Sequence, residues 1–243
     1  MLDYDAEARE YDASRGGEPR AAAAAEAVER LLPAETGTVV DVACGTGIVT
    51  ARLRRPGRAV LGVDRSPAML RLAEQRLPGA VVRGDATRLP VRDGGVDAVL
   101  LVWLLHLLPE AAPVLAEARR VLRPGGVLIT TVDKDDACFT EPSDLADVTA
   151  PLRRRYAPQV TDAAERLARQ AADLGLRPAG ATAFRGAGQG RSPRAWRQAV
   201  ERGRIPWCAD PGDAAATVRA LAALPDQDRP RPDPHYRLLA FRA

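Results

Sequence analysis

Lysine is almost missing from this 243-residue sequence: Lys134 is the only one, and arginine carries nearly all of the positive charge. The formal net charge is only +3, because the arginines are interleaved with acids. That pattern reads as solvated helix faces and excludes a basic nucleic-acid patch. Histidine is limited to His106 and His235. The three cysteines, Cys44, Cys138 and Cys208, show no C-x-x-C spacing, so no metal site is expected from them. An odd cysteine count without a signal-peptide pattern predicts reduced thiols and a cytoplasmic protein. No apolar run reaches the ~20 residues that span a bilayer, so no membrane partner is expected. The greasiest stretch, 96–108, reads as a buried strand running into a buried helix. Repeats and domain linkers are absent, and the length suits one α/β domain over 1–243.

What is present is organised around 39–50, VVDVACGTGIVT. An apolar strand carrying Asp41 runs into the small-residue turn Ala43-Cys44-Gly45-Thr46-Gly47, and an apolar helix-like run follows. Strand, glycine turn and helix make a nucleotide-binding βα unit. Glycines let the backbone approach a ligand, and the following helix points free N–H groups at the same place. Thr50 stands where the third glycine of a dinucleotide G-x-G-x-x-G fingerprint would be, which disfavours an NAD-binding oxidoreductase.

The same rhythm continues along the chain. A helix is expected over 21–32 and the first strand over 38–42, with a helix after the turn to about Arg54. A second strand, 59–64, ends in Asp64, 17 positions after Gly47 (64 minus 47), close to the ~20 expected of a ribose-binding acid. Ser66-Pro67 then caps a helix to about Leu77. Further strands are expected over 80–83, 96–103 and 127–132, with a helix over 110–122. Strands alternating with helices in this way predict a Rossmann-like, doubly wound, mostly parallel sheet with helices on both faces. The later chain reads as a charged insertion with one helix over 134–158, a helix over 161–174, and a strand over 181–188. Helices over 193–202 and 213–224 flank a turn at 205–207, and an antiparallel C-terminal strand closes the chain over 235–242.

DVACGTG, GVDRSPAML, GDATRLP, DAVLLVWLLHLLPE and LRPGGVLITTV stand in the order and spacing of the class I S-adenosylmethionine-dependent methyltransferases. The chain most resembles the small-molecule branch that includes ubiquinone and menaquinone biosynthesis enzymes and natural-product methyltransferases. The resemblance covers about 11–132 well and the rest only in outline. It implies S-adenosylmethionine as cofactor and S-adenosylhomocysteine as product. It implies that Asp41, Ala43, Gly45 and Gly47 hold the amino acid half of the cofactor, that Asp64 takes the ribose hydroxyls, and that Arg65 and Met69 flank the adenosine. Asp85 and Ala86 would meet the adenine, with Val102 nearby, and Tyr11 and Arg15 would close over the amino acid end.

The acceptor side rests on the sheet's polarity, since ligands of open α/β sheets bind at the carboxyl ends of the strands. Trp103, Tyr156, Trp196 and Trp207 are candidates for an aromatic wall, so an aromatic or heteroaromatic small molecule is the expected substrate. His106, three residues after Trp103, is the candidate general base for an N–H or O–H acceptor, with a structural role as the alternative. The fourth strand does not end in the (D/N)-P-P-(Y/F) tetrapeptide of adenine-N6 and glutamine-amide methylation, and no Pro-Cys pair supplies a cytosine-C5 nucleophile. No acid stands at Val102 or Trp103, where metal-dependent catechol enzymes hold a ligand, so no metal is expected. Segments 1–30, 134–160 and 190–212 are the candidate cover of the active site. The expected reaction is methyl transfer to an N, O or C atom by a monomer or homodimer. The rivals are a cyclase or a cofactor-binding protein built on the same fold.

Overall fold

The computed structural model describes residues 5, 8 and 10–243. Seven strands form one sheet in the order β3-β2-β1-β4-β5-β7-β6. They are β1 (Thr38–Val42), β2 (Ala59–Asp64), β3 (Val81–Arg83), β4 (Val96–Leu101), β5 (Leu122–Val132), β6 (Arg177–Arg185) and β7 (His235–Arg242). The pairs among β1 to β5 are parallel, with Val40 beside both Leu61 of β2 and Val99 of β4. β7 runs antiparallel to β5, with Val127 opposite Arg242 and Val132 opposite Arg237. The expected α/β class and the antiparallel closing strand are both found, and helices flank the sheet.

Within residues 10–243 the α-helices are α1 (Tyr11–Ser14), α2 (Gly17–Glu29), α3 (Pro67–Arg76), α4 (Ala112–Val121), α5 (Asp144–Tyr156), α6 (Ala164–Asp173), α7 (Pro193–Glu201) and α8 (Pro211–Ala222). Ser66 and Ser192 cap α3 and α7 as expected: their hydroxyls accept from the Met69 and Ala195 N–H groups at 3.1 and 3.2 Å. The central strands are apolar because both of their faces are covered. On one face Val40, Val42, Val99, Leu101 and Leu128 pack with Leu115 and Ala118 of α4 and with Leu167 and Ala171 of α6.

The structure corrects several boundaries. The helix expected after the glycine turn is a single 3-10 turn, Thr50–Leu53, because Arg54 turns extended ahead of Arg55-Pro56-Gly57 and Gly57 takes φ +80°. The helix expected over 21–32 starts at Gly17 and ends at Glu29, after a turn in which Gly16 and Gly17 take φ of +88° and +51°. β4 stops at Leu101, since Trp103 takes φ +57°. β5 begins at Leu122, straight after α4, and carries the Pro-Gly-Gly segment as an irregularity: Gly125 takes φ +77°, and the pairing with β4 jumps from Val96–Leu122 to Ala98–Val127. There Gly125 N–H donates to the Ala243 carbonyl at 2.8 Å. The strand expected over 181–188 lies at Arg177–Arg185, and the turn at 205–207 is a 3-10 turn, Pro206–Cys208.

The chain divides into two compact units. The first takes residues 1–134, 161–184 and 236–243, and holds nearly all of the sheet. The second takes 135–160 and 185–235. It has its own apolar centre of Leu145, Trp196, Val200, Ile205, Trp207 and Leu221. Phe139 joins that centre with its ring 5.3 Å from Trp196 and 6.1 Å from Trp207, and the Arg153 guanidinium lies 3.9 Å over Phe139.

Candidate active site

At the carboxyl ends of β1, β2, β3 and β4 the first unit encloses a cavity of about 320 Å³. That volume lies in the range of small-molecule sites. Its lining takes in Asp41, Ala43 and Gly45 from the first loop, Asp64 and Met69 from β2 and α3, and Asp85 after β3. Tyr11, Arg15, Arg65, Ala86, Val102 and Trp103 also line it. Of the residues expected at the cofactor, Gly47 alone is outside the lining.

Two glycines do different work in the loop. Gly45 takes φ +56° with no atom within 4 Å of where a Cβ would stand, so it leaves open space at the cavity. Gly47 takes φ +72°, and a Cβ there would lie 3.2 Å from the Ala73 Cβ and from the Leu77 Cδ1. Gly47 therefore sets the distance between loop and α3. Ala43 also takes a positive φ of +61°, a cost that alanine bears only when its surroundings enforce it.

Asp64 organises the centre. It is buried, and its two oxygens accept from the Gly45 and Ser66 N–H groups, each at 2.8 Å. Each oxygen keeps a further lone pair for a ligand hydroxyl. Asp41 is buried beneath the loop and accepts from the Thr50 hydroxyl. Burial, reinforced by the Asp64 charge, pushes its carboxyl up to about 7. Burial also raises the Cys44 thiol, so this loop cysteine is a neutral apolar neighbour and not a nucleophile. Asp85 is exposed, and its Oδ1 accepts from the Thr87 N–H at 2.7 Å and the Thr87 hydroxyl at 2.6 Å. Those bonds hold its carboxyl below the usual range and leave Oδ2 for a ligand amino group.

Sequence reasoning missed a tie between α1 and the loop. Asp12 accepts from the Thr46 hydroxyl at 2.6 Å and pairs with Arg76 of α3 at 2.8 Å. Arg76 also donates to the Thr46 carbonyl at 2.8 Å. The only signal was that Asp12 follows Tyr11. Arg20 was missed as well. Its guanidinium lies 3.5 Å over the Trp103 ring, a contact between distant parts of the chain that no local pattern announces.

The acceptor-side candidates are dispersed. Trp103 lines the cavity, whereas His106 does not. The positive φ at Trp103 and the short turn Leu105–Leu107 break the helical spacing that would have faced both one way. Trp196 and Trp207 are buried in the centre of the second unit, and Tyr156 is half-buried against it. Asp133 accepts from the Ala164 N–H at 3.0 Å and pairs with Arg237 at 2.7 Å. Among the described residues no group of His, Cys, Asp or Glu has metal-site geometry, and no helix is long and apolar enough to cross a membrane. Residues 1–4, 6, 7 and 9 of the candidate cover segment 1–30 lie outside the described residues.

The donor set suits an adenosine carrying a charged amino acid end: a carboxylate with spare lone pairs at the end of β2, a second acid after β3, and a glycine loop after β1. Residues 40–130 match the methyltransferase domain family. An uncharacterised methyltransferase of Mycobacterium tuberculosis is 42% identical over 104 residues, which cover 42% of this chain and 42% of that protein. The demethylmenaquinone methyltransferase of Beutenbergia cavernae is 44% identical over 92 residues, covering 37% of this chain and 38% of that protein. The chain thus spans about two fifths of the length of the curated relatives it matches. In fold it is similar to an S-adenosylmethionine-dependent methyltransferase of Thermotoga maritima, with TM-score 0.59 and 18% identity over 98% of this chain and 97% of that one. Over residues 40–130 the chain is thus similar in sequence to methyltransferases, and over nearly its whole length it is similar in fold to one that depends on S-adenosylmethionine.

Proposed function

We propose that this chain transfers a methyl group from S-adenosylmethionine to an N, O or C atom of a small-molecule acceptor, without a divalent metal. The observation that carries the reading is Asp64, a buried carboxylate that fixes the glycine loop and lines the cavity beside it. When bound, the cofactor supplies a methyl group already activated by its sulfonium. The protein's share is binding, orientation and exclusion of water. Asp64 accepts the two ribose hydroxyls, Asp85 the adenine amino group, and the Ala86 N–H meets the ring. Met69, buried at the edge of the cavity, packs on the adenosine. Arg15 holds the amino acid carboxylate, with Tyr11 beside it at 5.5 Å from the guanidinium.

Trp103 is the acceptor-side residue this reading assigns, which favours an aromatic or heteroaromatic acceptor of the kind met in secondary metabolism. His106, outside the lining, is assigned a packing role. The odd cysteine count suits a reducing cytoplasm.

The test is calorimetry with S-adenosylhomocysteine and with NADH, followed by a mass-spectrometric search for methyl transfer from labelled cofactor to aromatic acceptors. Micromolar binding of S-adenosylhomocysteine, with none of NADH, is expected. Failure to bind S-adenosylhomocysteine overturns the reading. Tight binding without transfer to any acceptor would instead favour a cyclase or a non-catalytic binding protein.

A further inference from the structure

Arg20 is a half-buried cation without an anion. Its Nη1 donates to the Arg15 carbonyl at 2.8 Å, and its Nε is buried with no acceptor. No carboxylate pairs with it among the described residues. Burial lowers its pKa, and the nearby Arg15 charge acts in the same direction. A buried, unpaired cation is costly, and such a cost persists where a ligand meets it.

Its neighbour is also under-satisfied. The guanidinium stacks 3.5 Å over Trp103 and 5.1 Å over Tyr236, in a cluster closed by Phe184. Trp103 Nε1 is buried without an acceptor, and its backbone is held at φ +57° by a 2.8 Å bond from its N–H to the Thr131 hydroxyl. A bulky residue at positive φ is an outlier that suggests a functional constraint. Both Arg20 and Trp103 line the cavity, so two unanswered N–H donors belong to residues at its edge.

Sheet order says which ligand lies beside these two residues. Asp64 ends β2 and Asp85 follows β3, on one side of β1, whereas Trp103 follows β4 on the other. An adenosine laid over β2 and β3 leaves the β4 side to the methyl acceptor. The wall there is apolar: Leu104, Leu107, Leu108 and Val114.

We propose that Arg20 and Trp103 form an anion-reading edge of the acceptor site, which selects an acceptor bearing a carboxylate on an apolar body. The inference rests on the methyltransferase reading. Charge-assisted bonds to a guanidinium change affinity by about tenfold to a hundredfold.

The experiment uses protein saturated with S-adenosylhomocysteine and, as probes, indole-2-carboxylate and 2-naphthoate against their carboxamides. The wild type is expected to bind at least one carboxylate tenfold or more tightly than its amide. Arg20→Gln should erase that preference, and Arg20→Lys should keep a several-fold remnant. S-adenosylhomocysteine and methylthioadenosine, which lacks the amino acid end, should bind Arg20→Gln as they bind the wild type. No carboxylate preference in the wild type overturns the proposal without reference to any variant, as does a preference that survives in Arg20→Gln. Selective weakening of S-adenosylhomocysteine over methylthioadenosine in Arg20→Gln would make the cofactor's own carboxylate the anion, and so overturn it too. Failure of the wild type to bind S-adenosylhomocysteine at all would remove the methyltransferase reading itself, a different result from the others.

Discussion

Asp64 bears two loads, one toward the ligand and one toward the fold. Asp64→Asn keeps the shape and one accepting oxygen but loses the charge. Its dissociation constant for S-adenosylhomocysteine should rise by about one to two decades, read by calorimetry with thermal melting as a control. Unchanged affinity would remove Asp64 from the ribose. Asp41, one strand away, makes a prediction about pH. Its carboxyl is raised from 3.8 to about 7, so between those values the folded chain holds a proton that the unfolded chain has released. Stability from this group is full below pH 4 and is lost as pH rises through 7. Asp41→Asn has no such proton to lose. Relative to the wild type it should therefore gain stability between pH 5 and pH 8, by up to about 4 kcal/mol in urea unfolding. Parallel pH dependences for the two proteins would refute it. Both acids were legible in the sequence because each sits at a fixed place around the glycine turn. Arg20 was not, since its partner Trp103 is far along the chain and becomes its neighbour only through the fold.

The glycine loop behaves as an element with two hinge-like positions of opposite meaning. Gly47→Ala should cost about 1–3 kcal/mol, seen as a lower melting temperature, because it adds positive-φ strain and presses on α3. Gly45→Ala meets nothing in the protein, so it should melt closer to the wild type and lose more of its affinity for S-adenosylhomocysteine. A reversed pattern would mean that the cavity does not open at Gly45. The turn itself was legible from composition. The Asp12–Thr46–Arg76 tie that braces it was not, because hydrogen bonds between polar side chains leave no periodic trace. Element ends were misread where proline and glycine sit inside a strand: Pro124-Gly125-Gly126 reads as a stop, yet β5 passes through it with Gly125 at φ +77° and bonded to Ala243.

The molecule as a whole is interleaved. The chain passes between its two units at 134/135, 160/161, 184/185 and 235/236. No linker marked the second unit, because a discontinuous insertion needs none: each crossing is a single step within two residues of an element's terminus. Its aromatic centre was visible as Trp196 and Trp207, but the sequence could not say whether those rings face a ligand or each other. In the structure they lie 6.1 Å apart. Trp207→Ala should destabilise the second unit by about 3–5 kcal/mol, since a large buried ring leaves a cavity. Hydrogen exchange should show α7 and α8 losing protection while β1 and β4 keep theirs. Uniform loss throughout the chain would mean that the two units open together.

The position of β7 has a consequence for synthesis. It is the last strand in sequence, yet it lies inside the sheet, between β5 and β6. While the nascent chain leaves the ribosome, β5 therefore presents an unpaired edge for roughly a hundred residues of translation, a ready template for the wrong partner. Chaperones that shield open strand edges should engage this chain up to the moment residues 235–242 emerge, and a stalled chain ending before them should be the form that aggregates.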